Sequence, residues 1–149
     1  MELTGTRLIA ADRATVWAAL NNPETLKACI PGCQELSGSA DEGFEATVVQ
    51  KVGPVKATFK GAVTLKDVNA PESYLIVGEG KGGAAGFAKG QAAVALNETA
   101  EGTELAYTVD AKVGGKLAQL GSRIVDGFAK KMADKFFEDF KDHVEDAQS

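Results

Sequence analysis

Hydrophobic and polar residues follow three different rhythms along this chain. The segment VKATFKGAVTLKDV alternates strictly: Val55, Ala57, Phe59, Gly61, Val63 and Leu65 share one side, while Lys56, Thr58, Lys60, Thr64 and Lys66 share the other. A period of two with one apolar face is the mark of an antiparallel strand, one side on a core and the other in water. FEATVVQKV behaves alike, placing Phe44, Ala46, Val48 and Val52 together, and ELAYTVDAKV aligns Leu105, Tyr107, Val109, Ala111 and Val113. Gly and Pro punctuate the turns at DEG, VGP, NAPE and AEG. About six strands therefore follow one another from Gln34 to Val113 with no helix between them, a meander rather than a βαβ arrangement.

The flanks are built differently. LTGTRLIA reads as a first strand, and Asp12 as the N-cap of a helix over RATVWAAL, its carboxylate accepting from the free N–H groups of the first turn. Asn22 and Pro23 restart a second short helix, PETLKAC, which stops at Pro31-Gly32. After Gly115 the period becomes helical: Leu117, Leu120, Ile124, Phe128, Met132, Phe136, Phe140 and Val144 recur every three or four residues as one stripe of a long helix. Gly121 and Gly127 cost about 1 kcal/mol each in such a helix, which suggests a neighbour that must come close. The fold expected is α+β: a curved antiparallel sheet of seven strands around a long C-terminal helix, with two short helices between strands 1 and 2, as one domain over residues 1–149.

Composition narrows the function. A net charge of −5 argues against nucleic acid, whose phosphates call for a basic face. MELTGTRL has neither the charged start nor the apolar stretch of a signal peptide, and no apolar run approaches the ~20 residues of a bilayer span. A cytoplasmic protein is expected. Cys29 and Cys33, in ACIPGC, lack the second Cys/His pair of a metal site and are expected as reduced, partly buried thiols. His143 is expected on the surface. No catalytic constellation and no cofactor site is visible.

Residues 78–94, GEGKGGAAGFAKGQAAV, contain G-x-G-x-x-G at Gly78, Gly80 and Gly83. A dinucleotide loop needs these glycines at a strand-to-helix turn, whereas here AAVAL continues as strand. Parity gives another reason for the small residues. Gly86, Ala88, Gly90 and Ala92 share the side of Val94 and Leu96, and Gly78 and Gly80 share that of Tyr74 and Ile76. Two neighbouring strands lose their inward side chains at one end. Since interiors are close-packed, either the long helix comes close there or a cavity opens.

The segments LKACIPGCQEL, VGPVKATFKGAVTL and GEGKGGAAGFAKGQAAVAL together resemble the family of the carbon monoxide dehydrogenase accessory protein CoxG (CoxG-like), of the START-like (SRPBCC) helix-grip superfamily. The resemblance runs from the first strand through the last helix. It implies a non-catalytic accessory of a molybdenum-containing CO dehydrogenase or related hydroxylase, linked to membrane recruitment and to an apolar ligand of lipid or quinone type. Some members carry an apolar C-terminal tail. This chain ends in KDHVEDAQS, so at most transient contact with the inner face of the membrane is expected.

Three classes of function follow. In the first, a hydrophobic small molecule is held between sheet and helix. Phe44, Val48, Phe59 and Val63 face it from the earlier strands, Tyr74, Ile76 and Tyr107 from the later ones, and Leu117, Leu120, Ile124 and Phe128 from the helix. The inward polar candidates are Gln50, Asp67, Tyr74 and Tyr107. Gln50 either orients a ligand carbonyl or is a strand-end residue beside the turn at Gly53-Pro54. In the second class the protein is a docking or assembly factor for the components of a hydroxylase, with Lys56, Lys60, Lys66, Lys81 and Lys89 as the patch. In the third it is a cyclase or hydrolase of the same fold, a class weakened by the lack of an acid/base pair.

Overall fold

The computed structural model describes residues 1–147. Strand β1 (Glu2–Ile9) is followed by helices α1 (Arg13–Leu20) and α2 (Pro23–Cys29). Six strands come next: β2 (Cys33–Ser39), β3 (Gly43–Val52), β4 (Val55–Asn69), β5 (Ser73–Lys81), β6 (Phe87–Thr99) and β7 (Gly102–Gly114). A short helix α3 (Lys116–Gln119) and the long α4 (Ser122–Ala147) complete the chain. The seven strands form one antiparallel sheet in the order β1-β7-β6-β5-β4-β3-β2, curved around α4. The expected α+β helix-grip architecture is present.

Local chemistry explains the ends of the short helices. The Asp12 carboxylate accepts from the Thr15 N–H at 2.9 Å, and the Asn22 side chain accepts from the Glu24 N–H at 2.9 Å with Pro23 at the first helical position. Ile9, Val16, Leu105 and Phe140 are wholly buried at one end of the grip, where β1, α1, β7 and the C-terminal half of α4 meet. Thr103 is buried there too and donates from its hydroxyl to the Ala11 carbonyl at 2.8 Å. Arg7 points inward from β1, where its guanidinium pairs with Asp134 of α4 at 2.7 Å and lies 5.8 Å from the Phe137 ring centre. This contact ties the edge strand to the helix. The Asp134 carboxyl is held below its ordinary range by its hydrogen bond to Lys130, with Arg7 adding to the effect.

Two expectations about the C-terminal segment need correction. It is two helices, because Gly121 has φ +91 and ends the first of them, a conformation that glycine adopts without steric cost. No neighbouring atom lies within 4 Å of where a Cβ would stand at Gly121 or Gly127, so neither glycine serves a close approach. The apolar stripe also drifts. At about 100° per residue, Ile124 stands about 160° around the helix from Phe140. Ile124 is accordingly 43% exposed, and Val125 is buried in its place.

Candidate ligand-binding site

Strand register decides where the sheet has side chains and where it does not. Ala46 pairs with Gly61, Gly61 with Gly80, and Gly80 with Ala88. In the next row Val63 pairs with Gly78, Gly78 with Gly90, and Gly90 with Ala111. Two rows of small residues thus cross the middle of the inner face. The large residues of the same strands, Phe44, Leu65, Tyr74, Ile76 and Val94, lie toward the core end.

A cavity of about 260 Å³ lies at this transition. Phe44, Val63, Leu65, Tyr74, Ile76 and Val94 form its sheet wall, with Ala46 and Gly61 leaving room between them. Leu20, Leu26 and Ile30 close it from α1, α2 and the turn that follows, Leu36 from β2, and Phe136 and Phe137 from α4. Tyr74 contributes the only polar side chain of this lining. Its ring meets Trp17 edge-on at 5.0 Å and is 5% exposed, and burial pushes its phenol well above the ordinary range. Among the described residues its hydroxyl has no hydrogen-bond partner.

An open trough of about 370 Å³ adjoins the cavity and shares Gly61, Val63 and Ile76 with it. Gly78, Gly80, Ala88, Gly90 and Ala92 form its floor. These glycines have different reasons. A Cβ at Gly78 would stand 2.6 Å from Val63 Cγ1, so that position must be small, whereas at Gly80 nothing lies within 4 Å and the space is empty. Close approach and open room therefore coexist on one strand. The G-x-G-x-x-G spacing is not a dinucleotide loop. Gly78 and Gly80 sit within β5, and Gly83–Ala85 is a single 3-10 turn leading into the antiparallel β6.

The residues singled out from the sequence divide into groups. Phe44, Val63, Tyr74 and Ile76 line the cavity, and Val48 and Phe59 line the trough with Val63 and Ile76. Tyr107 is stacked on Phe137 at 4.5 Å with an interplanar angle of 17°, in the core. Gln50 donates from Nε2 to the Pro31 carbonyl at 2.6 Å, fastening β3 to the turn after α2. Asp67, expected inward, is exposed with φ 50 where the β4–β5 register shifts. Leu117 is buried against the end of β7. Leu120 and Ile124 stand over the Gly53 turn, 3.9 and 3.5 Å from where its Cβ would be. Neither these three nor the half-buried Phe128 lines the cavity or the trough. Sequence reasoning misses the helical contributors Leu20, Leu26, Ile30 and Phe137, and places Phe136 only in the core stripe. The adjacent Phe136-Phe137 pair is the available signal, since two neighbouring aromatics cannot both fit a narrow stripe.

The outer face of the sheet is different. Its larger depressions, about 500 and 580 Å³, are open and walled by charged side chains of both signs. Lys60 lies across from Lys81, yet Glu79 stands 3.8 Å from Lys81 and pairs in register with Lys89. Cys29 and Cys33 are free thiols, both pushed up chiefly by burial. The exposed His143 ring reaches Thr25 Oγ1 at 3.4 Å. Among the described residues no cluster of His, Cys, Asp and Glu suits a metal ion, and no helix is long and apolar enough to cross a membrane.

Solved structures share this geometry. A conserved protein from Geobacillus kaustophilus, 28% identical, superposes with a TM-score of 0.89 over 97% of this chain and 95% of its own. A protein from Thermus thermophilus is 17% identical, with a TM-score of 0.74 and all of both chains covered. A protein from Rhizobium leguminosarum is 16% identical, with a TM-score of 0.72, covering 97% of this chain and 94% of that one. The last two show the fold alone. No curated protein matches the sequence at a significant level. The family model of CoxG, the G component of carbon monoxide dehydrogenase, matches residues 5–145, nearly the whole chain, and the chain therefore belongs to the CoxG family.

Proposed function

We propose that the protein is a non-catalytic accessory of a molybdenum-containing CO dehydrogenase or related hydroxylase, and that it carries a hydrophobic small molecule of quinone or lipid type. Family membership supports the accessory role. The observation that carries the ligand role is the 260 Å³ cavity, with one polar side chain in its lining. Close-packed interiors seldom leave such a volume unfilled. Pockets for drug-sized ligands run to about 300–1,000 Å³, so the cavity suits a compact ring or chain end, and the adjoining trough suits the remainder. Burying about 300 Å² of ligand apolar surface contributes about 7 kcal/mol before association costs, enough for micromolar affinity or weaker. Contact with a membrane is transient in this reading, and serves to exchange the ligand.

The test is extraction of the purified protein with organic solvent, followed by mass spectrometry and by titration of the stripped protein with apolar ring compounds. A stoichiometric neutral apolar compound, or saturable binding after stripping, is expected. A protein that yields no such compound and binds no apolar probe would sink the carrier role. The outer-face lysines gain no support as a docking patch, because acidic neighbours interrupt them.

A further inference from the structure

We infer that Tyr74 selects the ligand's chemical class: an uncharged ring compound bearing a carbonyl acceptor, in preference to carboxylates or plain hydrocarbons of the same size. The inference rests on the proposed carrier role and specifies its occupant. Tyr74 is 5% exposed and lines the cavity, and its hydroxyl has no hydrogen-bond partner among the described residues. Buried hydroxyls are ordinarily paired, so an unpaired donor at a cavity wall marks where a ligand acceptor belongs. The edge-on Trp17 ring at 5.0 Å holds the phenol in place.

The remaining lining decides which acceptor fits. No lysine, arginine or histidine lines the cavity, so a carboxylate would be desolvated with no countercharge. The phenol stays protonated in this setting, since burial raises its pKa. An alcohol at the same place would leave one hydroxyl hydrogen unpaired, whichever group donates. A carbonyl leaves none. Phe44, Phe136 and Phe137 supply aromatic walls that favour a flat ring over a flexible chain.

Three naphthalenes of nearly equal shape test this: 2-acetylnaphthalene, 2-isopropenylnaphthalene and 2-naphthoate, titrated calorimetrically into ligand-stripped wild type and Tyr74→Phe. The wild type is expected to bind the ketone about tenfold more tightly than the alkene, the worth of one net hydrogen bond, and the carboxylate most weakly. Tyr74→Phe should bring the ketone to the level of the alkene and leave the alkene unchanged. Its unliganded Tm should be equal or higher, because no bond within the protein is lost. Equal wild-type affinity for ketone and alkene, a ketone preference that survives in the variant, tight naphthoate binding, or a lowered Tm would each overturn the assignment to Tyr74. Failure of the wild type to bind either neutral compound would overturn the carrier role itself, and this inference with it.

Discussion

Replacing Gly61 with valine should make the protein more stable and less able to bind. Gly61 belongs to the wall common to the cavity and the trough. Its backbone is not in the left-handed region, and the nearest atom to an added Cβ is the Glu79 carbonyl oxygen at 3.6 Å, an ordinary contact. A valine therefore fits the strand, with its methyl groups at the junction of the two spaces. Three added carbons contribute about 2.4 kcal/mol when withdrawn from water. Removing a strand glycine adds roughly 0.5–1 kcal/mol, and the rotamer entropy of valine subtracts about 0.5. Partial exposure on the trough side lowers the sum to about 2 kcal/mol, which corresponds to a Tm rise of about 4–8 °C at this chain length. Urea and thermal denaturation of the stripped protein measure the first effect, and titration with 2-acetylnaphthalene measures the second. Opposite signs are the signature of a space held open at a cost to stability. A destabilised variant would mean that the space is already filled, and unchanged binding would mean that the ligand lies elsewhere.

Further outcomes follow from the helical end of the chain. The same substitution should have opposite effects six residues apart: Gly121→Ala should lower stability by about 1 kcal/mol because φ is +91 there, whereas Gly127→Ala should raise it by about 1 kcal/mol within α4, where nothing obstructs a methyl group. Paired urea curves check both signs. The Glu145 carboxylate accepts the Ala10 N–H at 2.8 Å and pairs with Lys141 at 3.2 Å, and its pKa is lowered from the ordinary 4.5, chiefly by that backbone bond. A lowered folded value means that the contribution is complete above pH 4.5 and is lost as pH falls through the folded value. Urea midpoints between about pH 6 and pH 3 should fall less steeply for Glu145→Gln than for the wild type. Identical slopes would refute the linkage.

What can be read from the sequence is whatever depends on neighbours along the chain. Strict alternation over residues 55–65 marks β4 and its inner face, and side-chain caps at Asp12 and Asn22 mark both short helices. The inward parity of Gly78, Gly80, Ala88 and Gly90 is also legible, since period two is rigid within a strand. What cannot be read depends on partners far apart. Register between strands aligns Ala46, Gly61, Gly80 and Ala88 into one row, and no single strand shows it. Leu20, Leu26 and Ile30 look like ordinary helix residues until the docking of α1 and α2 turns them toward Tyr74. A stripe traced through α4 at intervals of four overshoots a 3.6-residue turn, and so carries Ile124 to the solvent side. Arg7 escapes notice because a charge on an apolar face is unexpected until Asp134 and Phe137 stand opposite it.

The floor beside the cavity has a kinetic consequence. Glycine has no χ angle, so the sheet side of any exit past Gly78, Gly80 and Gly90 offers no rotamer that could serve as a latch. Residence time must then be governed from the opposite bank, by how α4 settles over the strands after the break at Gly121. Delivery to a receiving protein would need only a nudge to that helix, with the sheet acting as a fixed slipway.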